Sequence, residues 1–305
     1  MKAVVTGGAG FIGSHLTEAL VDLGYDVHVL DWKQAKMTEC VKNDRVVYHE
    51  LDICSKEARE LVVSIDPSYL FHLAAQADVG ISIDNPMYDA QINISGTINM
   101  LDACRETRSC KMIFASTAAV YGLLDQSEIC EEDPVNPESN YGLSKLTAES
   151  YIRIYHKLYG IPYTILRYAN VYGPRQLPKG DGGVVAVFMK NILSSGAVSV
   201  HGDGDQTRDF IFVKDVAAAN IAAMKDGNNE TIQISTGETY SINELIGYIK
   251  KSHRDEFVTQ FSSARKGDIK HSCLANHKAR SLLKWNPVYR LETGLKETYV
   301  YYRSL

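Results

Sequence analysis

Through the first half of the chain, short apolar runs alternate with longer stretches in which apolar residues recur every three or four positions. The short runs predict strands at Ala3–Thr6, Val27–Leu30, Val46–Leu51, Tyr69–Leu73, Met112–Ser116 and Tyr163–Arg167. The periodic stretches predict helices at Phe11–Leu23, Lys56–Ile65, Tyr88–Arg105 and Tyr141–Leu158. Strands rich in Val, Ile and Leu and separated by helices are buried on both faces, which makes this a parallel sheet covered on each side.

Beyond Asn170 the rhythm changes. A loop over Gly173–Gly183 holds two prolines and four glycines. A turn at Gly202-Asp203-Gly204-Asp205, a short strand at Phe210–Val213 and helices at Asp215–Met224 and Ile242–Lys251 follow. Trp285-Asn286-Pro287 ends another helix near the end. The fold class expected is therefore α/β, a Rossmann-type doubly wound parallel sheet with a smaller C-terminal α/β lobe. Residues 1–170 form the first part and 171–305 the second, with some later segments returning to the sheet.

Composition removes several classes of function. The net charge of -5 comes from well-mixed acids and bases, so no basic block points to nucleic acid. Six cysteines show neither a Cys-x-x-Cys pair nor metal-ligand spacing with histidine, which argues for reduced, mostly buried thiols and no metal site. No apolar run approaches the ~18 residues of a membrane span. The first strand starts at Lys2, leaving no room for a leader peptide. A cytoplasmic protein that does not bind membranes is the expectation.

The chemistry begins at Thr6-Gly7-Gly8-Ala9-Gly10-Phe11-Ile12-Gly13, where a strand meets a glycine-rich turn and then an amphipathic helix. Gly7 permits the tight turn, Gly10 lets a backbone approach a pyrophosphate, and Gly13 lets helix and strand pack closely. N–H groups at the helix start, including those of Phe11 and Ile12, then face the anion. A purely structural glycine turn would read the same way in isolation. Asp31, at the end of the second strand, adds the acid expected on a ribose hydroxyl and favours NAD over its 2′-phosphorylated relative, although Lys33 stands two residues on. Asp52 and Ile53, after the third strand, are placed for the adenine edge.

Tyr141 and Lys145 lie one helical turn apart on one face. A free tyrosine has a pKa near ~10 and is a poor base at neutral pH. A nearby ammonium and a cationic nicotinamide ring would favour its phenolate, and the lysine can also hold the cofactor's ribose hydroxyls. Ser116 and Thr117 close the fifth strand, at the end where open parallel sheets bind ligands. Their hydroxyls fit either a proton path to substrate or a capping role.

The segments TGGAGFIGSH, HLAAQADVGIS, STAAVYG, YGLSK, RYANVYGPR and GDGDQTRDFIFVKD occur in this order. Together they resemble the extended short-chain dehydrogenase/reductase family, in particular its nucleotide-sugar 4-epimerases of the UDP-glucose (UDP-galactose) type, from Lys2 to about Pro287. The resemblance implies an isomerase that inverts C4 of a UDP-hexose through a transient 4-keto sugar. NAD stays bound throughout. Tyr141 would be the base, Lys145 its activator and cofactor clamp, and Thr117 the hydroxyl of the triad, where many members carry Ser.

It also implies that Leu73, Ala74, Ala75 and Gln76 line the cofactor, with Asn93 and Ser116 near it. His72 is read as a satisfied strand-end histidine with no part in proton transfer. Asn170, Arg208, Arg265 and Asp268 would hold the UDP portion, Arg because its planar fork suits phosphate. Tyr168 either packs against the cofactor and sugar or belongs to the core. Related 4,6-dehydratases carry Thr-Asp-Glu where this chain has Thr117-Ala118-Ala119, so elimination lacks its acids. Ser272 aligns with the position that gates the sugar's 2-substituent and leaves room for an N-acetyl group. A UDP-uronic acid is the other alternative substrate. A non-catalytic NAD sensor would be expected to lack one of Thr117, Tyr141 and Lys145. A homodimer pairing the 88–105 and 141–158 helices is implied as well.

Overall fold

The central sheet of the computed structural model has seven strands, all parallel. The structure describes residues 1–32, 41–124, 126–178, 183–253, 256–264 and 270–305. In chain order the first part contains β1 (Lys2–Thr6), α1 (Phe11–Asp22), β2 (Asp26–Asp31), β3 (Val46–Glu50), α2 (Lys56–Ile65) and β4 (Tyr69–His72). Helices α3 (Val79–Asp84), α4 (Pro86–Ala90) and α5 (Gly96–Glu106) lead to β5 (Lys111–Thr117), α6 (Asn140–Tyr159) and β6 (Tyr163–Tyr168). The second part holds β7 (Asn170–Tyr172), α7 (Val184–Ser195), β8 (Ala197–His201), β9 (Thr207–Arg208), β10 (Phe210–Phe212) and α8 (Val213–Ala222). It continues through β11 (Glu230–Ile234), β12 (Tyr240–Ser241), α9 (Ile242–Ser252), β13 (Val258–Ser262), β14 (His271–Ser272), α10 (His277–Leu282) and α11 (Leu291–Arg303).

The strand order is β11-β6-β5-β4-β1-β2-β3. Connections therefore reverse direction between β1 and β4, and the crevice at the carboxyl ends of those two strands is where such sheets receive ligands. One face of the sheet is covered by α1 and α8, whose Leu16, Leu20, Val216 and Ala219 are fully buried. The other is covered by α2, α5 and α6 through Ala58, Val62, Met100, Leu101 and Ala148. Each such Leu, Val or Met contributes about 1.5–3 kcal/mol by leaving water. Cluster formation in the lobe is separate, with Phe188 and Met189 of α7 meeting Leu245 and Ile249 of α9 and Leu295 of α11.

The six predicted strands are present within a residue or two of their expected bounds. Other details differ. β11, the seventh strand, was not foreseen: in Glu230-Thr231-Ile232-Gln233-Ile234 the polar Gln233 interrupts the apolar run although it is itself fully buried. The 88–105 helix runs as α4, a wide π-helical turn over Gln91–Ser95, and α5. Asn170, where the rhythm changes, opens β7, which pairs with β10. The last helix, α11, lies beyond Pro287, where the family resemblance ended.

Among the described cysteines, Cys104 and Cys110 are buried, while Cys54, Cys130 and Cys273 are half-buried, so fewer are buried than expected; all five are free thiols. Among the described residues no helix is long and apolar enough to cross a membrane.

Candidate active site

Gly7 leaves β1 with φ +70°, a left-handed conformation, and a Cβ there would lie 2.7 Å from the Ala74 nitrogen. A Cβ at Gly13 would collide with the Gly7 carbonyl oxygen. These two glycines are needed by the chain's own packing. Gly10 is different: a Cβ there would meet only the Gly7 oxygen, at 3.2 Å, so the space it leaves opens outward. Gly8 was missed by motif spacing, yet its Cβ would sit 2.8 Å from Val29. The first bond inside α1 is donated by Ser14 to Gly10 at 2.9 Å. Gly10 gives the helix no side-chain cap, so the preceding N–H groups of Phe11, Ile12 and Gly13 are the free donors of a helix start.

Asp31 fastens this loop to β2. One carboxylate oxygen accepts from the Ala9 N–H at 2.9 Å and the other from Trp32 at 2.8 Å. Burial still pushes its pKa up, against the pull of those two bonds. Asp52 accepts from the Cys54 N–H at 2.8 Å, and the Ile53 and Ser55 carbonyls each accept from Asn99 at 2.7 Å. Across the switch point, Leu73 and Ala74 donate to the Thr6 carbonyl and hydroxyl.

His72 is locked in one tautomer. The Thr97 hydroxyl donates to the Asn93 carbonyl at 2.6 Å, so His72 Nε2 donates to Thr97 at 3.1 Å. Nδ1 then accepts from the Thr6 hydroxyl at 2.7 Å. Burial, reinforced by the Lys145 charge, pushes the His72 pKa down to about 3. The ring is neutral and fully used in bonding.

Ser139 caps α6 by accepting from the Gly142 N–H at 3.1 Å, and Gly142 sits so close to Ala119 that a Cβ would lie 2.6 Å from its carbonyl oxygen. This seats the start of α6 on the end of β5. The Thr117 hydroxyl consequently faces the Tyr141 phenol and also accepts from the Ala119 N–H at 3.1 Å, the capping arrangement. Burial pushes the phenol up to about 12; the Thr117 bond lowers it and the charge of Asp89 raises it further. Lys145 lies one helical turn further along α6. Its buried ammonium rests 4.4 Å over the Phe114 ring. Burial pulls that lysine down to about 8, with Glu149 and Asp89 opposing the shift. Among the described residues its ammonium has no hydrogen-bond acceptor, the condition of a group that awaits one.

Two expected residues are tied into the interior. Ser116 donates to Glu149 at 2.6 Å, and the Tyr168 hydroxyl pairs with Asn220 within the core that includes α1 and α8. Gln76 and Asn93 bond each other through both backbone groups of Gln76, at 2.9 Å each. Sequence reasoning missed Asp89, Glu149, Arg167 and Tyr121. Glu149 lies one turn past Lys145, a spacing that could have exposed it. It accepts two bonds from Arg167, at 2.9 and 2.7 Å, and Arg167 donates on to Tyr121 at 2.8 Å.

A cavity of about 740 Å³ lies between the segment after Thr117 and the lobe, lined by Leu124, Gln126, Thr207, Lys270, His271 and Ser272 among others. That volume is in the range of small-molecule sites. Ser272, the expected gate, is on its wall, and in β9 the half-buried Arg208 lies in register with Ser272. Asn170 stands at the start of β7, its N–H bonded to Asp209. Arg265 and Asp268 lie outside the described residues, as does Lys33.

The cleft thus holds unpaired N–H donors at a helix start, an outward space at Gly10 and a buried ammonium lacking an acceptor. These fit a dinucleotide's pyrophosphate and ribose. Comparison with known proteins agrees. The profile of the family described as GDP-mannose 4,6 dehydratase matches residues 4–298. A UDP-glucose 4-epimerase of Thermotoga maritima, solved with UDP-glucose, is 40% identical with a TM-score of 0.94, covering 100% of this chain and 99% of that one. A UDP-N-acetylglucosamine 4-epimerase of Methanobrevibacter ruminantium M1 is 33% identical with a TM-score of 0.94, covering 99% and 98%. A UDP-glucuronic acid 4-epimerase of Bacillus cereus, solved with UDP-glucuronic acid and NAD, is 32% identical with a TM-score of 0.92, covering 100% and 99%. On this breadth of match and on the glycine cleft and Tyr141–Lys145 helix together, the chain belongs to the extended short-chain dehydrogenase/reductase family, in the group whose profile is described as GDP-mannose 4,6 dehydratase.

Proposed function

We propose that this chain is an NAD-dependent UDP-sugar 4-epimerase whose substrate pair is UDP-glucose and UDP-galactose. The observation that carries the reading is the Thr117–Tyr141 hydroxyl pair beside the glycine cleft, flanked by Ala118 and Ala119. The family's profile name denotes dehydratases, but those two alanines provide no acid for elimination. Tyr141 takes the proton of the C4 hydroxyl and later returns it, and Thr117 orients that hydroxyl. Lys145 holds the cofactor's ribose, the N–H groups of Phe11–Gly13 its pyrophosphate, and Asp31 its adenosine ribose. Asn170, Arg208, Arg265 and Asp268 hold the UDP portion. NAD, when bound, supplies the acceptor and donor for the C4 hydride, so no second substrate is consumed.

A second reading, acceptance of N-acetylhexosamines, is favoured by the small Ser272 on the cavity wall. Proton NMR of the purified protein with UDP-galactose, UDP-N-acetylgalactosamine or UDP-glucuronate separates these. UDP-galactose is expected to convert to its C4 epimer without added NAD. If no sugar converts even with NAD supplied, the epimerase assignment is wrong.

A homodimer belongs to the same proposal. Met87 of α4 and Leu143, Tyr151, Ile154 and Leu158 of α6 are exposed apolar residues on the helices expected to pair. Sedimentation is expected to give twice the 33.9 kDa chain mass; a monomer at micromolar concentration would refute pairing.

A further inference from the structure

We propose that Asp89 is a positioning residue that anchors the Gln76–Asn93 clamp to α6 and keeps one negative charge behind both Tyr141 and Lys145. Asp89 is 1% exposed on α4, immediately before the π-helical turn. Its Oδ1 accepts from Gln76 Nε2 at 2.8 Å and from Asn93 Nδ2 at 3.1 Å. Asn93 Nδ2 also donates to Ser144 at 3.0 Å, and Ser144 donates to the Tyr141 carbonyl at 3.0 Å. A chain of bonds therefore runs from Asp89 to the backbone of Tyr141. The π-helical turn that interrupts the predicted helix carries Asn93 in this chain of bonds.

Hydrogen bonding alone does not call for a carboxylate here. The Asn93 amide has two hydrogens and three acceptors, so it keeps partners without Asp89. A neutral amide oxygen at position 89 would accept the same two bonds. The second oxygen, Oδ2, is buried with no bonding partner, and Asp89 forms no ion pair among the described residues. An unpaired buried carboxylate is costly, which favours a use for the charge. The groups facing Lys145 are Glu149 from its own helix, Asp89 from α4 and His72 from β4. Those facing Tyr141 are Thr117 from β5 and Asp89. Asp89 is the one charge common to both, and it favours a protonated phenol and a protonated lysine together.

The proposal rests on Tyr141 and Lys145 being the reacting pair, and the test separates the two claims. Asp89→Asn keeps the accepting oxygen and removes the charge. NAD retained by the purified protein, measured after gel filtration from pH 6 to 9.5, is expected to fall in the wild type as Lys145 loses its proton near pH 8. In Asp89→Asn the midpoint should move down by about one pH unit, the size expected from losing one nearby opposite charge. Asp89→Glu should move it back. An unchanged midpoint in Asp89→Asn overturns the proposal, whatever happens to activity. If that variant does not fold, Asp89→Ser, which keeps an acceptor and leaves room for water, gives the same reading. Full activity in Tyr141→Phe, by contrast, would overturn the catalytic assignment and leave the charge effect standing.

Discussion

Tyr141→Phe is expected to fold, to bind NAD and to lose about 10²–10⁴-fold in kcat, the range for removing a general acid–base. The substitution deletes one oxygen, whose protein partner is the Thr117 hydroxyl. Losing a bond of that kind costs about 1 kcal/mol of stability. The catalytic loss should far exceed it, because every turnover needs the C4 hydroxyl proton removed and returned. In the ligand-free protein the phenol is pushed up to about 12, so it is not ionised at neutral pH. The Lys145 ammonium rests 4.4 Å over the Phe114 ring, one helical turn further along α6. The oxidised nicotinamide, a cation, would lower the phenol further when bound beside it. Base strength would then be greater in the loaded protein. Steady-state rates by coupled assay, with retained NAD measured in parallel, test the claim; kcat within tenfold of wild type would remove Tyr141 from the chemistry.

The positions of the catalytic candidates were legible because short-range geometry sets them. Gly7, Gly13 and Gly142 mark close backbone approaches, and Tyr141 and Lys145 share a face by helical spacing alone. Asp89 was not legible in the same way, whereas Glu149, one turn past Lys145, was open to the same reasoning. Asp89 accepts from Gln76, on a preceding loop, as well as from Asn93 one turn on, and an isolated acid on a predicted helix reads as a solvated surface charge. Ser116 and Tyr168 were each open to two readings from sequence, a site role or a structural one. Strand-end placement put them near a site, but the side chains are engaged by Glu149 and Asn220. The edge strand β11 escaped notice because the fully buried Gln233, bonded to Glu131 and Tyr121, interrupts the apolar run that marks its neighbours.

Glu149→Gln is expected to be among the most destabilising single substitutions in the chain, by about 3–5 kcal/mol, the cost of leaving one member of a buried ion pair alone. Glu149 is 0% exposed and Arg167 3%. Burial would push the carboxyl pKa up, but the two Arg167 bonds, Ser116 and Arg153 outweigh it and hold the group below its ordinary value. A carboxyl lowered on folding contributes stability that is complete above its unfolded value of 4.5 and is lost as pH falls through the folded one. The variant should therefore melt on the order of 10 °C lower at pH 7, and the gap should narrow in acid. Replacing both partners, Glu149→Leu with Arg167→Met, should recover most of the loss, because apolar residues of similar volume leave no charge uncompensated. The pair also lies beneath the site: Glu149 supports the Lys145 ammonium against burial, and Arg167 reaches Tyr121 just after Thr117. The double variant should thus regain stability while its NAD retention falls at lower pH than wild type, since Lys145 has lost a stabilising charge. Thermal melts and cofactor retention on the same samples separate the two effects. Recovery of both together would mean that Glu149 serves packing alone.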